Sequence, residues 1–177
     1  MTIYFGDGTT QTTAGTAGKV LQCVSATKLD TASGTSDSSG ISGLSVSITP
    51  SSSSHKIWVQ CNINCHSSSR YHGFLLYRDS TSLAIGDADG SRARVNTNFG
   101  TINYGGQNDW ANSPACSNNR GFSYLDSPSS TSSIEYKVGV DIHYGGGTWW
   151  INRPGQNNNS SFISRMSSTI TVFEIVA

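Results

Sequence analysis

The sequence predicts an all-β fold: an antiparallel β-sandwich, jelly-roll-like, of about 8–10 strands with an extended N-terminal arm. Three observations predict it. Apolar and polar residues alternate with period two in several runs. Turn signals rich in Gly, Ser, Asn and Pro recur roughly every ten residues. No window repeats apolar residues at the 3.6-residue helical period over two turns.

Residues 1–16 read as an arm. Its apolar residues are Ile3, Tyr4 and Phe5, a turn follows at Gly6-Asp7-Gly8, and the rest is Gly/Thr-rich. Residues 17–177 read as the sandwich domain. Residues 19–29 are rich in β-formers, and residues 30–40 form a Ser/Gly/Asp loop. In residues 41–49, Leu44, Val46 and Ile48 face one way and Ser45, Ser47 and Thr49 the other, before Pro50 and four serines end the run. Residues 56–65 set Ile57, Val59, Cys61, Ile63 and Cys65 against Trp58, Gln60, Asn62 and Asn64. Residues 71–78 form a more deeply buried strand around Phe74, a turn follows at 79–82, a short return strand at 83–85, and another turn at 87–90.

Residues 92–104 have β character, and residues 105–119 read as a long loop. A strand at 121–125 and a turn at 126–130 lead to the clearest alternation, residues 133–144, with Ile134, Tyr136, Val138, Val140 and Ile142 on one face. Gly145-Gly146-Gly147 then predicts a hairpin into residues 148–151. Residues 152–161 are a polar loop, and residues 164–176 are the last strand.

Composition narrows the function. Of 177 residues, 35% are hydrophobic and 12% charged, so the core is thin, a condition commonly relieved by oligomerisation. The net charge is zero and the arginines are scattered, which gives no basic footprint for nucleic acid. No 18-residue apolar stretch predicts a membrane helix, and the N-terminus has no signal-peptide pattern. The expectation is a protein made in a cytoplasm with its thiols reduced.

Cys61 and Cys65 lie four residues apart on one predicted strand, about 13 Å along it, too far for a disulfide or a shared metal. With Cys23 and Cys116 they read as small apolar residues, and no metal or other cofactor is expected. Asp87 and Asp89 sit in a turn without the remaining ligands of a calcium loop. His55, His66, His72 and His143 share no spacing and read as ordinary surface or core residues. Ser, His and Asp are present, but no Gly-x-Ser-x-Gly elbow is, and no catalytic residue is assigned.

Trp149 and Trp150 are adjacent on a strand and must face opposite sides. The outward one, beside Asn152, Gln156, Asn157, Asn158 and Asn159, suits either a subunit interface or a sugar; Tyr104, Gln107, Asn108, Asp109 and Trp110 form a second such cluster.

Several segments resemble, in order and spacing, a module of tailed-phage structural proteins, especially those of marine and cyanobacterial phages. They are Asp7-Gly-Thr-Thr-Gln-Thr-Thr-Ala14, Ala17 to Gln22 with Ala26 to Asp30, Gly43 to Ser51 with Lys56-Ile57, Leu76 to Ser80, Ile85 to Asp87 with Ser91-Arg92, Leu125 to Pro128 with Tyr136 to Val138, and Ser168 to Ile175. The module usually ends a longer tail fibre or appendage and carries no catalytic residues. The resemblance implies a non-enzymatic virion surface protein, most simply a tail-fibre or appendage component, with a capsid decoration protein as the alternative and a free glycan-binding module as the alternative of another class. Its partners would be itself, as a homotrimer, other virion proteins through Ile3, Tyr4 and Phe5, and a host surface glycan through Tyr104, Asn108, Trp110, Trp149, Trp150 or Asn157. Neither nucleic acid nor membrane insertion is expected.

Overall fold

A computed structural model describes residues 3–4, 6–8, 10–11, 17–69, 71–100 and 117–177. Their strands are β1 (Ile3–Tyr4), β2 (Thr10–Gln11), β3 (Val20–Lys28), β4 (Ala32–Gly34), β5 (Ser45–Ile48), β6 (Lys56–Ser67), β7 (His72–Arg78), β8 (Thr81–Leu83), β9 (Thr97–Asn98), β10 (Asn118–Asp126), β11 (Ile134–Ile142), β12 (Trp149–Ile151) and β13 (Ser168–Ile175). No helix occurs among the described residues.

Two antiparallel sheets carry the domain. In the first, the order is β10-β6-β13-β3, and the short pair β12-β4 extends it beyond the end of β13. In the second, the order is β5-β11-β7, with β8 and β9 sharing the far edge of β7. Numbering the eight main strands along the chain, the sheets read 1-8-3-6 and 2-7-4-5. That strand order is the jelly roll.

Period-two alternation explains why these runs become strands. Ile57, Val59, Cys61, Ile63 and Cys65 of β6 are all buried, as are Val46 and Ile48 of β5, Ile134, Tyr136, Val138 and Val140 of β11, and Ile170 and Val172 of β13. They join one apolar cluster with Phe74, Leu76 and Phe99. Phe74 and Phe99 stack with ring centroids 4.1 Å apart, which fixes the chain after β9 against β7.

The predicted hairpin at Gly145-Gly146-Gly147 does not form. Strand β12 pairs with β6 and β4, not with β11. Both edges of β11 are already taken: β7 runs along one, and β5 with the Ser38–Val140 bridge along the other. The glycines serve a crossing between sheets instead. All three have positive φ, and a Cβ on Gly147 would stand 2.8 Å from that of Ser69. Gly139 has a similar role within β11, where a Cβ would stand 2.3 Å from the Ser38 carbonyl oxygen.

Other boundaries move. The predicted loop at 30–40 contains β4, whose Ala-Ser-Gly sequence has no strand signature and which pairs only because Trp149–Ile151 lies beside it. The return strand lies at Thr81–Leu83 rather than 83–85. Of residues 92–104, only Thr97–Asn98 is strand among the described residues. The turn at Gly6-Asp7-Gly8 is present, and it closes a β1-β2 ladder; the rest of the arm, residues 12–16, lies outside the described residues.

The registers give the sandwich a polarity. Lys28, Ser168, Ser67, Asn118, His72 and Ile142 stand at one end, so the chain leaves β3, β6, β9 and β11 and re-enters β5, β7, β10 and β13 there. We call this the loop end. At the opposite end, Gly18 donates to the Val176 carbonyl and Val176 to that of Lys19, so the arm leaves the sheet beside the C-terminal strand. We call this the arm end.

A buried ionic clamp joins the sheets near the arm end. Arg78 of β7 donates to both oxygens of Asp126 on β10, at 3.0 and 2.9 Å, and the Tyr136 hydroxyl of β11 donates to Asp126 at 2.7 Å. Burial, then the bond to Asp126, pushes the Tyr136 phenol far above its usual range, so it remains a donor. Removing the carboxylate strands both partners. Asp126→Ala should cost roughly 2–4 kcal/mol, since Arg78 keeps some access to water, and Tyr136→Phe about 1–2 kcal/mol. Urea denaturation of the variants checks both.

Candidate functional site

The loop end gathers the residues singled out from the sequence. Trp149 and Trp150 sit on β12 and face opposite sides, as alternation requires. Trp149 is core: its ring packs over Gly34, and its indole N–H donates to the Ser36 carbonyl at 3.0 Å. Trp150 is half-buried on the outer side of the first sheet, opposite His66 of β6.

The Trp150 ring has two neighbours within the chain. The His66 ring lies at 5.3 Å, tilted by 40°, and the Arg153 guanidinium stands 5.7 Å over the indole. Gly155 lies close enough that a Cβ there would stand 3.0 Å from His66 and 3.3 Å from Trp150. Trp150 therefore anchors the segment after β12.

Asn152 is not a surface contact. It is fully buried with a left-handed φ of 61°, a conformation Asn tolerates. Its side-chain amide donates to the carbonyls of Lys28 and Asp30 at 2.8 and 2.9 Å, and its oxygen accepts from Ser168 at 2.6 Å. Its backbone N–H donates to Asn64. Asn152 thus ties the segment after β12 to the ends of β3, β6 and β13.

Beyond this knot the chain makes a shallow depression of about 320 Å³, lined by Asn157, Asn158, Asn159, Ser160, Ile163 and Arg165. Asn157 is exposed, and its side-chain oxygen accepts from Arg165 at 2.5 Å. Phe162, adjacent to Ile163, is 73% exposed. Tyr104, Asn108 and Trp110 lie outside the described residues, as does Phe5, and so does Cys116 among the cysteines. Ile3 and Tyr4 form β1, paired with Gln11 and Thr10. Trp150 and Asn157 thus share the loop end with Trp149, which faces the core.

The remaining polar groups have local roles. His72 is buried between the Ser67 hydroxyl at 2.8 Å and the Gly146 carbonyl at 3.2 Å, and burial lowers its pKa. His143 pairs with Asp141 at 2.8 Å. Asp89 pairs with Arg92, and the Arg92 N–H donates to the Asp89 carbonyl in an exposed turn. Cys61 and Cys65 are free thiols pushed up to about 12 by burial, whereas Cys23 is exposed rather than acting as a core residue. Among the described residues, no three His, Cys, Asp or Glu side chains gather as metal ligands would.

A Ser/His/carboxylate cluster missed in the sequence lies at the arm end. Glu174 of β13 is 1% exposed and accepts from the Ser51 hydroxyl at 2.7 Å and the Gln22 amide at 2.6 Å, while His55 Nδ1 stands 2.7 Å away. Ser51 approaches that same ring nitrogen, at 3.3 Å. A hydrolase triad needs the hydroxyl on Nε2 and the carboxylate on Nδ1. Here both share Nδ1, so the imidazole is not placed between them to relay a proton. The sequence signal was available: Glu174 stands on the buried face of β13 with Ile170 and Val172.

No family model matches the chain, and no curated protein matches it. Among solved structures, it is similar to the VP2 subviral particle of infectious bursal disease virus, with 16% identity, a TM-score of 0.38, and coverage of 88% of this chain and 38% of that one. The fold assignment above rests on strand order.

The Glu174 cluster sets a pH dependence. Burial alone would raise its pKa, but hydrogen bonds with His55, Ser51 and Gln22 outweigh it and hold the carboxyl at about 2 against an ordinary 4.5. A depressed folded-state pKa gives stability present above the unfolded value and lost as pH falls through the folded one. Thermal unfolding should therefore show a stability loss between pH 4.5 and pH 2 that is smaller in Glu174→Gln.

Proposed function

We propose that this chain is a non-enzymatic structural protein of a virion surface, attached through its arm end and presenting its loop end outward. The observation that carries the reading is the opposition of the two ends on a jelly roll: the arm departs beside Val176, and the connections that follow β3, β6, β9 and β11 leave their strands at the other end. Jelly rolls serve both viral capsids and lectins. The ordered resemblance to tailed-phage modules, from Asp7 to Ile175, favours the virion.

Within that reading the chain is a tail-fibre or appendage component that reaches the host surface. The alternative is a capsid decoration protein with the same grip. Residues 1–16 attach it, and Ile3, Tyr4 and Phe5 are their apolar anchors. The β1-β2 ladder supports strand addition to a neighbouring sheet as the mode of attachment.

The working form is a homotrimer, and the outer face of the first sheet supports association between copies. On that face Leu125, Trp58, Phe173 and Cys23 stand in register across four strands, with exposed Leu21 nearby. Most other outward side chains of these strands are Ser, Thr, Asn and Gln, with Ile175 and Lys56 at the arm-end rim and His66 at the loop end. Charge depletion around aromatic residues is the composition of an interface core.

Immunogold labelling of the parent particle, with antibody to residues 19–177, tests the location. Gold at the tail is expected, gold over the capsid makes it a decoration protein, and an unlabelled particle overturns the virion role. Light scattering at micromolar concentration tests assembly: the expected mass is three times the 18.8 kDa of one chain, with Trp58→Arg shifting it toward monomer. A wild-type monomer would sink the trimer.

A further inference from the structure

We propose that the ring cluster at the loop end of the second sheet, Tyr71, Tyr144 and His143 with the carboxylates of Asp141 and Asp37, binds a neutral pyranose sugar. This rests on the reading of the loop end as the outward end, and it names the place and the chemistry by which that end would recognise a partner.

The strand register assembles the cluster. Ile134, Tyr136, Val138 and Val140 of β11 point into the core, so Asp141 and His143 fall on the outer side of the sheet. The His143 N–H donates to the Tyr71 carbonyl at 3.0 Å, which carries the β11-β7 ladder one pair beyond Ile142 and His72. His72 is buried, so Tyr71 faces outward beside His143. The two rings stand 6.5 Å apart at 74°. The chain then turns, and the Tyr144 ring meets the Tyr71 ring at 5.1 Å and 84°. Gly145 lets the turn close on them: its φ is 75°, and a Cβ there would stand 3.5 Å from the Tyr71 ring. From the opposite edge of β11, Asp37 accepts from the Ile142 N–H at 2.7 Å, which sets a second carboxylate beside the strand between Asp141 and His143.

The cluster has the two surfaces a sugar needs. A pyranose ring has an apolar C–H face and a rim of hydroxyls. Tyr144 is 71% exposed and Tyr71 39%, so phenol rings meeting at nearly a right angle leave an apolar corner open to solvent. The polar groups stand around that corner. Asp141 engages His143 Nδ1 through one oxygen at 2.8 Å, and an ionised carboxylate accepts several further bonds. With a carboxylate on Nδ1, the neutral imidazole keeps its proton there and offers Nε2 as an acceptor. The two phenol hydroxyls both donate and accept. The ring contacts and the His143–Asp141 bond hold these groups before any ligand arrives, which lowers the cost of ordering them.

Charge and openness select the class of ligand. The charged groups that these contacts place here are two carboxylates and an imidazole, so a sugar acid would meet like charge. A quaternary ammonium is held by rings on several sides, whereas this corner is open. A neutral sugar uses both the corner and the acceptors. An open corner covers only part of a sugar, so each copy binds weakly and repeated copies add avidity.

The test is saturation-transfer difference NMR on the full-length protein. The probes are the methyl glycosides of galactose, glucose, mannose and N-acetylglucosamine. At least one should take saturation, strongest on the C–H protons of one ring face. Tyr144→Ala should weaken its binding by roughly tenfold, the order of one aromatic stacking contact. Asp141→Asn, which keeps the shape of the side chain, should weaken it as well. Phe162→Ala removes another strongly exposed ring of the loop end and should leave binding unchanged. Thermal melts matching wild type show that the variants fold. The proposal is overturned by no saturation of any of the four glycosides at tens of millimolar, by undiminished binding in Tyr144→Ala or Asp141→Asn, or by an equal loss in Phe162→Ala. It is also overturned if galacturonic acid matches the neutral glycosides, or if tetramethylammonium displaces the sugar at equal concentration, which would make this a cation site. Gold labelling reads location independently of these outcomes, so failure of either reading leaves the other standing.

Discussion

Strand β6 has two edges, and three strands must share them. β10 takes one edge from Ile57 to Cys65, while the other is divided between β13 and β12. β6 can serve all three because its alternation runs unbroken through Cys65, the longest such run in the domain. Its partners come from distant parts of the chain. β13 inserts between β6 and β3, so the first sheet cannot close until residues 168–175 have reached it. A fold dominated by such non-local pairings pays loop-closure entropy before its contacts form.

A thin apolar core makes the ends of the sandwich depend on polar fastenings, and each binds elements the core does not reach. Arg78, Asp126 and Tyr136 fasten one sheet to the other near the arm end. Glu174 fastens residues 51–55 to β13 and, through Gln22, to β3. Asn152 does the same at the loop end, where the chain leaves β12. Every one of these groups is satisfied by several partners, the condition under which buried polar groups stabilise rather than weaken a fold.

What the sequence revealed and what it hid follow from one distinction. Alternation is local, so β5, β6, β11 and β13 and their buried faces could be read directly from Leu44, Ile57, Ile134 and Ile170 outward. Pairing is not local. Gly145-Gly146-Gly147 carries a hairpin signal as strong as any, yet β11 had no edge left to offer, and only the full strand order shows it. β4 is the converse: Ala32-Ser33-Gly34 has no strand signal and becomes one because Trp149 requires a glycine opposite it. Of the candidate site, the Asn-rich run and the opposite facing of the two tryptophans were legible. The cation over the indole was not, because nothing in the spacing of Trp150 and Arg153 shows that the guanidinium stands over the ring. Asn152 looked like its neighbours Asn157 to Asn159, and only burial separates a knot in the backbone from a surface amide.

The same distinction bears on how a protein with so little charge can be selective. Its broad surfaces are hydroxyl- and amide-rich, and such surfaces neither steer charged partners nor repel copies of themselves. Specificity must then come from a few placed groups. At the arm end and along the outer face those groups are apolar, Trp58 and Leu125 among them. At the loop end Arg153 stands over Trp150 and Arg165 donates to Asn157, on a scaffold whose root at Asn152 is buried. Each surface thus discriminates by the feature the rest of the molecule lacks. That separation places the apolar groups of the outer face and the cations of the loop end on different residues, so a contact made through one set would not compete for the other.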